Sequence, residues 1–216
     1  MSEGASPTPP TSAGDYPVGL DADERMRDGT HLHFRPIRDS DGVAMTAFHE
    51  SLSPRSVYRR FFFAHPRLSP GELERFTHVD YVERMAYVVV DADRIVGVGR
   101  YERLAGTDEA EVAFVVTDAY QRRGIGGLLL DHLADVARGH GIQRFTAQTL
   151  SENRDMLNVF LSSGFPVSMS SEGGTVTVRF PITPCEDHAR RRERRRAGTT
   201  SDGPSGSGGG AGSSPA

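Results

Sequence analysis

The residues best suited to chemistry form a glycine-rich turn at positions 121–127, which reads Gln-Arg-Arg-Gly-Ile-Gly-Gly. An apolar, strand-like run, Glu111 to Val116, precedes the turn, and a run with helical spacing, Leu128 to Arg138, follows it. The first N–H groups of a helix lack partners within the helix, and the helix dipole favours negative charge there. Glycines let an anion approach the backbone without interference from Cβ atoms. The turn therefore predicts an anion-binding cradle, and the expected ligand group is a pyrophosphate.

Two common phosphate-binding motifs do not fit this turn. The phosphate loop of nucleoside triphosphatases needs a lysine, and the chain contains none. The dinucleotide fingerprint needs a third glycine where Leu129 stands and an acidic residue near Arg144. What remains is the pattern Gln/Arg-x-x-Gly-x-Gly/Ala, which Gln121, Gly124 and Gly126 fill. In this pattern the chain resembles the GNAT family of acyl-CoA-dependent N-acetyltransferases.

The resemblance implies that acetyl-CoA is the co-substrate and that the turn holds its pyrophosphate through backbone amides. It also implies that the strand ending at Val116 splays from its parallel neighbour, so that the pantetheine arm pairs with it and an amide of Val115 or Val116 polarises the thioester carbonyl. Asn153 is expected either to hydrogen-bond the pantetheine arm or to cap a helix. The full set expected to bind acetyl-CoA is Phe114, Val115, Val116, Gln121, Arg122, Arg123, Gly124, Ile125, Gly126, Gly127 and Asn153.

The reaction that the resemblance implies needs a general base. A lysine amine has a pKa of about 10.4 and is protonated at neutral pH, whereas attack on a thioester requires the neutral amine. Glu111 is the candidate catalytic residue, because the similar sequences place their base here and because its sequence neighbours Ala110, Val112 and Ala113 are apolar. Apolar surroundings raise the pKa of a carboxyl group. The alternative for Glu111 is a glutamate on the solvent-facing side of a strand.

The leaving group needs less help than the amine, since a thiol has a pKa of about 8.5. Asn153, Gly164 and Phe165 match the helix ending of the family, but Phe160 stands where many members have a tyrosine that protonates the departing thiolate. Because thiolate departure is comparatively easy, this replacement is compatible with the reaction. Phe160 is expected to be a core residue.

Further segments resemble one branch of the family, the bacterial protein lysine acetyltransferases whose catalytic domain is fused to a cyclic-nucleotide-binding domain or an acyl-CoA-synthetase-like region. These segments are 35–38, 53–62, 80–81 and 110–114. The likeness implies a protein acceptor, notably the active-site lysine of AMP-forming acyl-CoA synthetases. Neither fusion partner is expected in this chain, so cyclic-nucleotide control is not carried over. A small-molecule amine acetyltransferase and a non-catalytic acyl-CoA-binding module remain as alternatives.

The elements that must position these residues follow from periodicity and capping signals. Strands are predicted at 32–38, 85–90, 95–104, 111–116, 145–150 and 175–180, and helices are predicted to begin near 40, 54, 70, 125 and 151. This order indicates the α+β class. It is the order of the GNAT fold, in which a mixed, mostly antiparallel central sheet is flanked by helices and a splayed parallel pair of strands binds acyl-CoA.

Composition predicts the domain organisation and argues against several classes of partner and of binding site. Residues 1–28 and 184–216 are expected to be disordered tails, the second arginine-rich and then rich in glycine and serine, around one domain at 29–183. A formal net charge of −4 argues against a nucleic-acid partner. Without a signal peptide or a long apolar run, no membrane partner and a cytoplasmic location are expected. The single Cys185 and the histidine spacing predict no metal site. The oligomeric state is left open.

Overall fold

The computed structural model describes the backbone of residues 14–200 and the side chains of residues 14–195. In this part of the chain, eight strands form one sheet: β1 (Ala22–Arg25), β2 (His31–Pro36), β3 (Arg84–Asp91), β4 (Arg94–Arg103), β5 (Glu109–Val116), β6 (Arg144–Leu150), β7 (Ser168–Glu172) and β8 (Thr175–Pro181). The α-helices are α1 (Gly42–Glu50), α2 (Pro54–Phe61), α3 (Pro70–Thr77), α4 (Ile125–Gly139), α5 (Arg154–Leu161) and α6 (Glu186–Thr200). Among these described helices, none is long and apolar enough to cross a membrane.

The sheet has the spatial order β1-β2-β3-β4-β5-β6-β8-β7. Neighbouring strands are antiparallel except for β5 and β6, which are parallel. Parallel neighbours need a crossover connection, and α4 supplies it here. The α+β class with a mixed, mostly antiparallel sheet is therefore confirmed.

Helices cover both faces of the sheet, because successive side chains of a strand point to opposite sides. On β4, Gly99 faces α4, whereas Arg100 points to the face covered by α1 and α2. A Cβ atom added at Gly99 would lie 2.9 Å from Cδ1 of Phe114 and 3.2 Å from Cβ of Leu129. The missing side chain thus lets α4 lie close against the sheet. This close approach fixes where the N-terminus of α4 stands relative to β5.

Capping residues fix the starts of α2 and α3, as predicted from the sequence, whereas α1 begins at Gly42 without a side-chain cap from the predicted Asp39 or Ser40. Ser53 precedes the proline that opens α2, and its side chain accepts a hydrogen bond from the amide of Ser56. Ser69 and Glu72 form a capping box at the start of α3. Such caps satisfy backbone donors that the helix itself leaves free. They depend only on neighbours in the chain, so the sequence reveals them.

The prediction of a disordered tail over residues 1–28 is wrong for the part that the structure describes. Strand β1 lies in this segment and pairs with β2, with Ala22 opposite Phe34. Met26, just after β1, is buried in the core. The short, polar β1 has no alternating pattern of its own and is held by its partner strand, so periodicity does not reveal it. Residues 1–13 lie outside the described residues.

The predicted C-terminal tail, 184–216, is also ordered at its start, where α6 forms. His188 of α6 is buried and stacks on Phe165, with ring centroids 4.0 Å apart. The backbone of His188 passes so close to Gly164 that a Cβ atom there would lie 2.7 Å from its Cα. Helix α6 has no apolar stripe, which is the usual sequence signal of a packed helix. Residues 201–216 lie outside the described residues.

Candidate functional site

A cleft of about 840 Å³ lies beside the C-terminal half of β5. Its walls come from the turn at 121–127, which we call the cradle, and from the first turn of α4, the start of α5 and the side of α6 that faces α4. Among the described side chains, ten arginines and four carboxylates line it, although the whole chain has a formal net charge of −4. The local excess of positive charge and the size of the cleft suit a ligand that carries several phosphate groups.

The two parallel strands beside the cleft part from each other after a short contact. Pairing between β5 and β6 ends at Glu111, opposite Thr146. Beyond that point β5 stays paired with β4 as far as Val116, while β6 pairs with β8 as far as Leu150. The splayed pair predicted from the sequence is therefore present. It leaves backbone groups of β5 without a strand on their β6 side.

The hydrogen-bond pattern of the β4–β5 ladder shows which of these backbone groups are open. The amide of Thr117 donates to the carbonyl of Val96 at 2.9 Å, so the neighbouring pair of Gly97 and Val116 is the non-hydrogen-bonded kind. The N–H of Val116 consequently points away from β4, whereas that of Val115 is directed into the ladder. Of the two amides considered for the thioester carbonyl, the geometry favours that of Val116 over that of Val115.

The cradle has the backbone conformation of an anion-binding turn. Gly124 has φ +90°, and Arg122 has φ +62°, both in the left-handed region. The amide of Gly127 donates to the carbonyl of Gly124 at 3.1 Å. Within the described residues, the amides of Gly124, Ile125 and Gly126 have no hydrogen-bond acceptor. Three donors at the positive end of α4 are thus free to bind an anion.

Gln121 braces the cradle instead of standing free in the cleft. Its side-chain amide donates to Ser56 Oγ and to the carbonyl of Val116, each at 3.0 Å. Ser56 in turn donates to Asp118 at 3.0 Å, and Ser53 donates to the same carboxylate at 2.7 Å. The Gln121 side chain therefore ties the cradle to β5 and α2. Gln121 lines the cleft, but the sequence does not reveal that its side-chain amide is already bonded within the protein.

The two arginines of the cradle differ in their surroundings. Arg123 forms an ion pair with Asp28, 3.1 Å between Nη1 and Oδ2, and its guanidinium lies over the ring of Tyr120. Hydrogen bonds from Thr30 hold the pKa of the Asp28 carboxyl below its usual range. Arg122 is exposed at the cleft and has no ion pair within the described residues. Arg122 is therefore the freer of the two cations.

Asn153 lies in the cleft wall and caps α5 at the same time. Its Oδ1 accepts a hydrogen bond from the amide of Met156 at 3.3 Å, and the residue is 5% exposed. The predicted helix start at Ser151 is therefore too early, because Asn153 supplies the cap. The Nδ2 group of Asn153 has no hydrogen-bond partner among the described residues. The two expectations for Asn153 are thus compatible.

Glu111 lies at the point where β5 and β6 separate, but its surroundings differ from the expectation. Its apolar neighbours Ala110 and Val112 are buried on the opposite face of β5, and Glu111 itself is exposed. Strand alternation explains the error, since residues adjacent in sequence point to opposite faces. Arg60 of α2 interacts electrostatically with the Glu111 carboxylate. Burial lowers the pKa of the Arg60 guanidinium, and attraction to the Glu111 carboxylate raises it in part.

Phe160 is a core residue, as expected. It is 1% exposed, and its ring centroid lies 6.1 Å from that of Phe114 and 5.7 Å from that of Phe180. The side chain fills the core beneath the split strands and has no proton to give.

Cys185 is half-buried, and its thiol donates to the carbonyl of Gly164 at 3.2 Å, away from the cleft lining.

Sequence reasoning missed the arginines of α6 that line the cleft, including Arg191 and Arg195. They reach the cleft because Asp131, a buried carboxylate of α4, binds both of them. One signal was available. Asp131 and Asp135 interrupt an otherwise apolar helix with a four-residue spacing, and Arg191 and Arg195 repeat that spacing. Residues four apart share one helix face, so the two aspartates face one direction and the two arginines another, although Asp131 binds both arginines and Asp135 binds Arg192.

Comparison with known proteins gives consistent matches. The model of the acetyltransferase (GNAT) family matches residues 52–165. The chain is 32% identical to acetyltransferase PA5475 of Pseudomonas aeruginosa over 159 residues, 72% of this chain and 86% of that protein. It is 28% identical to acetyltransferase Pat of Mycolicibacterium smegmatis over 75% of this chain, but it spans only 49% of Pat. The crystal structure of the GNAT domain of S. lividans PAT has 40% identity and a TM-score of 0.73, covering 77% of this chain and 99% of that domain.

Proposed function

The chain belongs to the acetyltransferase (GNAT) family and is an acyltransferase, and we propose that it transfers the acetyl group of acetyl-CoA to the side-chain amine of a protein lysine. The family resemblance and the fold predicted from the sequence are confirmed. A protein acceptor is supported by the similarity to the Pat acetyltransferases and by segments 35–38 and 53–62, which resemble the lysine acetyltransferase branch.

Acetyl-CoA suits the cleft along its whole length. Free amides at Gly124, Ile125 and Gly126 suit the pyrophosphate. The stretch of β5 beyond its pairing with β6 suits the amides of the pantetheine arm, which would pair with it as an added strand does. The unpartnered Nδ2 of Asn153 offers a further donor to that arm. The thioester then lies near the split of the sheet, where the Val116 N–H can donate to its carbonyl oxygen.

The position of Glu111 carries the catalytic proposal. Glu111 is the last β5 residue paired with β6, so its side chain stands where the gap between the strands begins. In the proposed reaction the lysine nitrogen attacks the thioester carbon, and Glu111, which lies five residues before Val116 on β5, accepts through water in the gap the proton that the amine must lose, which costs about 4 to 5 kcal/mol for a free lysine at neutral pH. The new N–C bond forms as the C–S bond breaks. Coenzyme A leaves as the thiolate, because Phe160 has no proton to donate to it.

The chain offers a matched control for Glu111. Glu102 lies directly opposite Glu111 on β4 and is also exposed, with a surface ion pair to Arg75. Glu111→Gln is expected to lower kcat by about 10²- to 10⁴-fold, with little change in the Kd for acetyl-CoA. Glu102→Gln is expected to retain nearly full activity, since an exposed ion pair contributes little. Unchanged turnover in Glu111→Gln would reject Glu111 as the base.

The acceptor is tested by following thiol release from acetyl-CoA in the presence of an AMP-forming acyl-CoA synthetase. Mass spectrometry of the synthetase then locates the acetyl group. We expect modification of one active-site lysine, and polyamines and free amino acids should be poor acceptors. Good turnover of the small amines with an unmodified synthetase would instead show a small-molecule acetyltransferase. Binding of acetyl-CoA without thiol release in cell extract would show a non-catalytic module.

A further inference from the structure

Helix α6 is fixed to α4 by charges. Asp131 is 4% exposed, and its two carboxylate oxygens take one arginine each. Nη1 of Arg195 lies 2.6 Å from Oδ2, and Nη1 of Arg191 lies 3.3 Å from Oδ1. One turn along α4, Asp135 binds Arg192 at 2.9 Å. These contacts hold the arginine-bearing side of α6 along the cleft.

The same two arginines reach the cradle with their other nitrogen atoms. A Cβ atom at Gly127 would lie 2.6 Å from Nη2 of Arg191 and 2.9 Å from Nη2 of Arg195. Gly127 is the third residue of α4, so both guanidinium groups lie beside the helix end that carries the free amides. The two terminal nitrogen atoms of each guanidinium therefore face different groups. Its Nη1 binds Asp131, and its Nη2 is directed to the cleft.

This arrangement leaves an excess of positive charge among the described side chains around Asp131. Arg191 and Arg195 share the single carboxylate of Asp131, and they lie next to the positive end of the α4 dipole. Burial lowers the pKa of the Arg191 guanidinium, and repulsion by Arg195 lowers it further. Two cations held together at a helix N-terminus are stabilised by an anion between them. Both arginines line the cleft, where such an anion could bind.

We propose that Arg191 and Arg195 form a second wall of the acyl-CoA site and donate hydrogen bonds to phosphate groups of the CoA nucleotide. This inference rests on the proposed function. The phosphates would lie between main-chain donors of the cradle and side-chain donors of α6. Arginine suits this task because its planar guanidinium binds two oxygen partners in fixed directions. Helix α6 is then a part of the binding site and not a solvated tail.

Isothermal titration of the full chain with acetyl-CoA tests the proposal. The double variant Arg191→Gln with Arg195→Gln is expected to raise the Kd by roughly 10- to 100-fold. Arg190→Gln is the matched control, because Arg190 lies outside the cleft and pairs with Glu186 and Asp187 on α6 itself. It removes a charge from the same helix and should leave the Kd unchanged. The salt dependence of the Kd should weaken in the double variant only.

A second ligand identifies the phosphates involved. Acetyl-dephospho-CoA lacks the 3′-phosphate but keeps the pyrophosphate. If the double variant no longer differs from the unaltered protein with this ligand, the arginines bind the 3′-phosphate. If the difference persists, they bind the pyrophosphate. Both results support the second wall.

A charge-conserving variant separates binding from docking of α6. Arg191→Lys with Arg195→Lys keeps both cations but lacks the second nitrogen that lets each arginine bind Asp131 and a phosphate group together, so its Kd should lie between those of the unaltered protein and the glutamine pair, while hydrogen exchange reports whether α6 stays docked in each variant. An equal loss of affinity in the lysine and glutamine pairs would overturn the proposal, because charge would not be the cause. Unchanged or tighter binding by the glutamine pair would also overturn it, since α6 would then be neutral or an obstruction. Absence of binding by the unaltered protein would refute the proposed function instead.

Discussion

The two walls of the cleft hold an anion by different means. The cradle uses backbone amides at the start of α4, a helix packed against the sheet through an apolar face and the close contact at Gly99. The second wall uses guanidinium groups on α6, a polar helix that Asp131 holds by ion pairs. The first wall is rigid and directional. The second depends on charged side chains, so it should respond to salt and to the removal of a side-chain charge where the first does not.

The largest effect is expected from placing a charge within the cradle. Gly124 has φ +90° and no atom within 4 Å of an added Cβ, so glutamate and glutamine there share the same backbone strain and the same free space. Gly124→Glu should weaken acetyl-CoA binding by roughly 10²-fold relative to Gly124→Gln, because only the glutamate repels phosphate. Calorimetry measures both affinities, and equal melting temperatures would show equal folding. Equal affinities of the two variants for acetyl-CoA would contradict the contrast between the two walls, because the cradle would then not hold the anion.

A medium effect is expected from releasing the second wall. Asp131→Asn removes the buried carboxylate that holds Arg191 and Arg195, and it should reduce the free energy of α6 docking by about 1 to 3 kcal/mol. Hydrogen exchange should then quicken in α6 while α4 keeps its protection. Asp135→Asn is the control, because Asp135 is far more exposed and its pairs contribute less. Full protection of α6 in Asp131→Asn would show that other contacts hold the helix.

The smallest effect is expected from removing the charge of Asp118, whose carboxylate accepts hydrogen bonds from Ser53 and Ser56 beside the cradle. Burial raises the pKa of this carboxyl, but hydrogen bonds from Ser53 and Ser56 outweigh that effect and lower it overall. A lowered pKa in the folded state gives stability that is present above the unfolded value and is lost as the pH falls through the folded value, here below about pH 4. Asp118→Asn should therefore be slightly less stable at pH 7, and the difference should shrink at pH 3. Denaturant midpoints at the two pH values measure it, and a constant difference would contradict this account.

The difference between the walls also explains what the sequence could predict. The cradle, the helix caps at Ser53 and Ser69 and the strand before the cradle are encoded by residues close together in the chain. Helix α6 and strand β1 are encoded by partners far away, namely Asp131 and β2. Neither has a periodic apolar pattern, and a polar segment with no visible partner is indistinguishable from a solvated tail. Their order becomes evident only when the partner surface is known.

Glu111 and Gln121 show the same limit of prediction from sequence within the site. Local composition suggested an apolar environment for Glu111, but the pleat turns its neighbours to the other face of β5. Gln121 lines the cleft, yet its amide is occupied by Ser56 and Val116, the first of which lies 65 residues away in the chain. Position along the chain was predictable for both residues. Their contacts depend on which elements the fold brings beside them.

The early end of the β5–β6 pairing leaves unpaired strand donors in the interior of the sheet. A row of unpaired strand donors normally recruits strands of other molecules and promotes aggregation. Here the row lies inside the sheet, with β4 on one side and β6 with β8 on the other, and the contact at Glu111 and Thr146 closes one end. A slot of this form excludes a second polypeptide sheet but admits one narrow extended chain. The fold therefore leaves the open backbone of β5 accessible to one extended ligand but not to the edge strand of a second sheet.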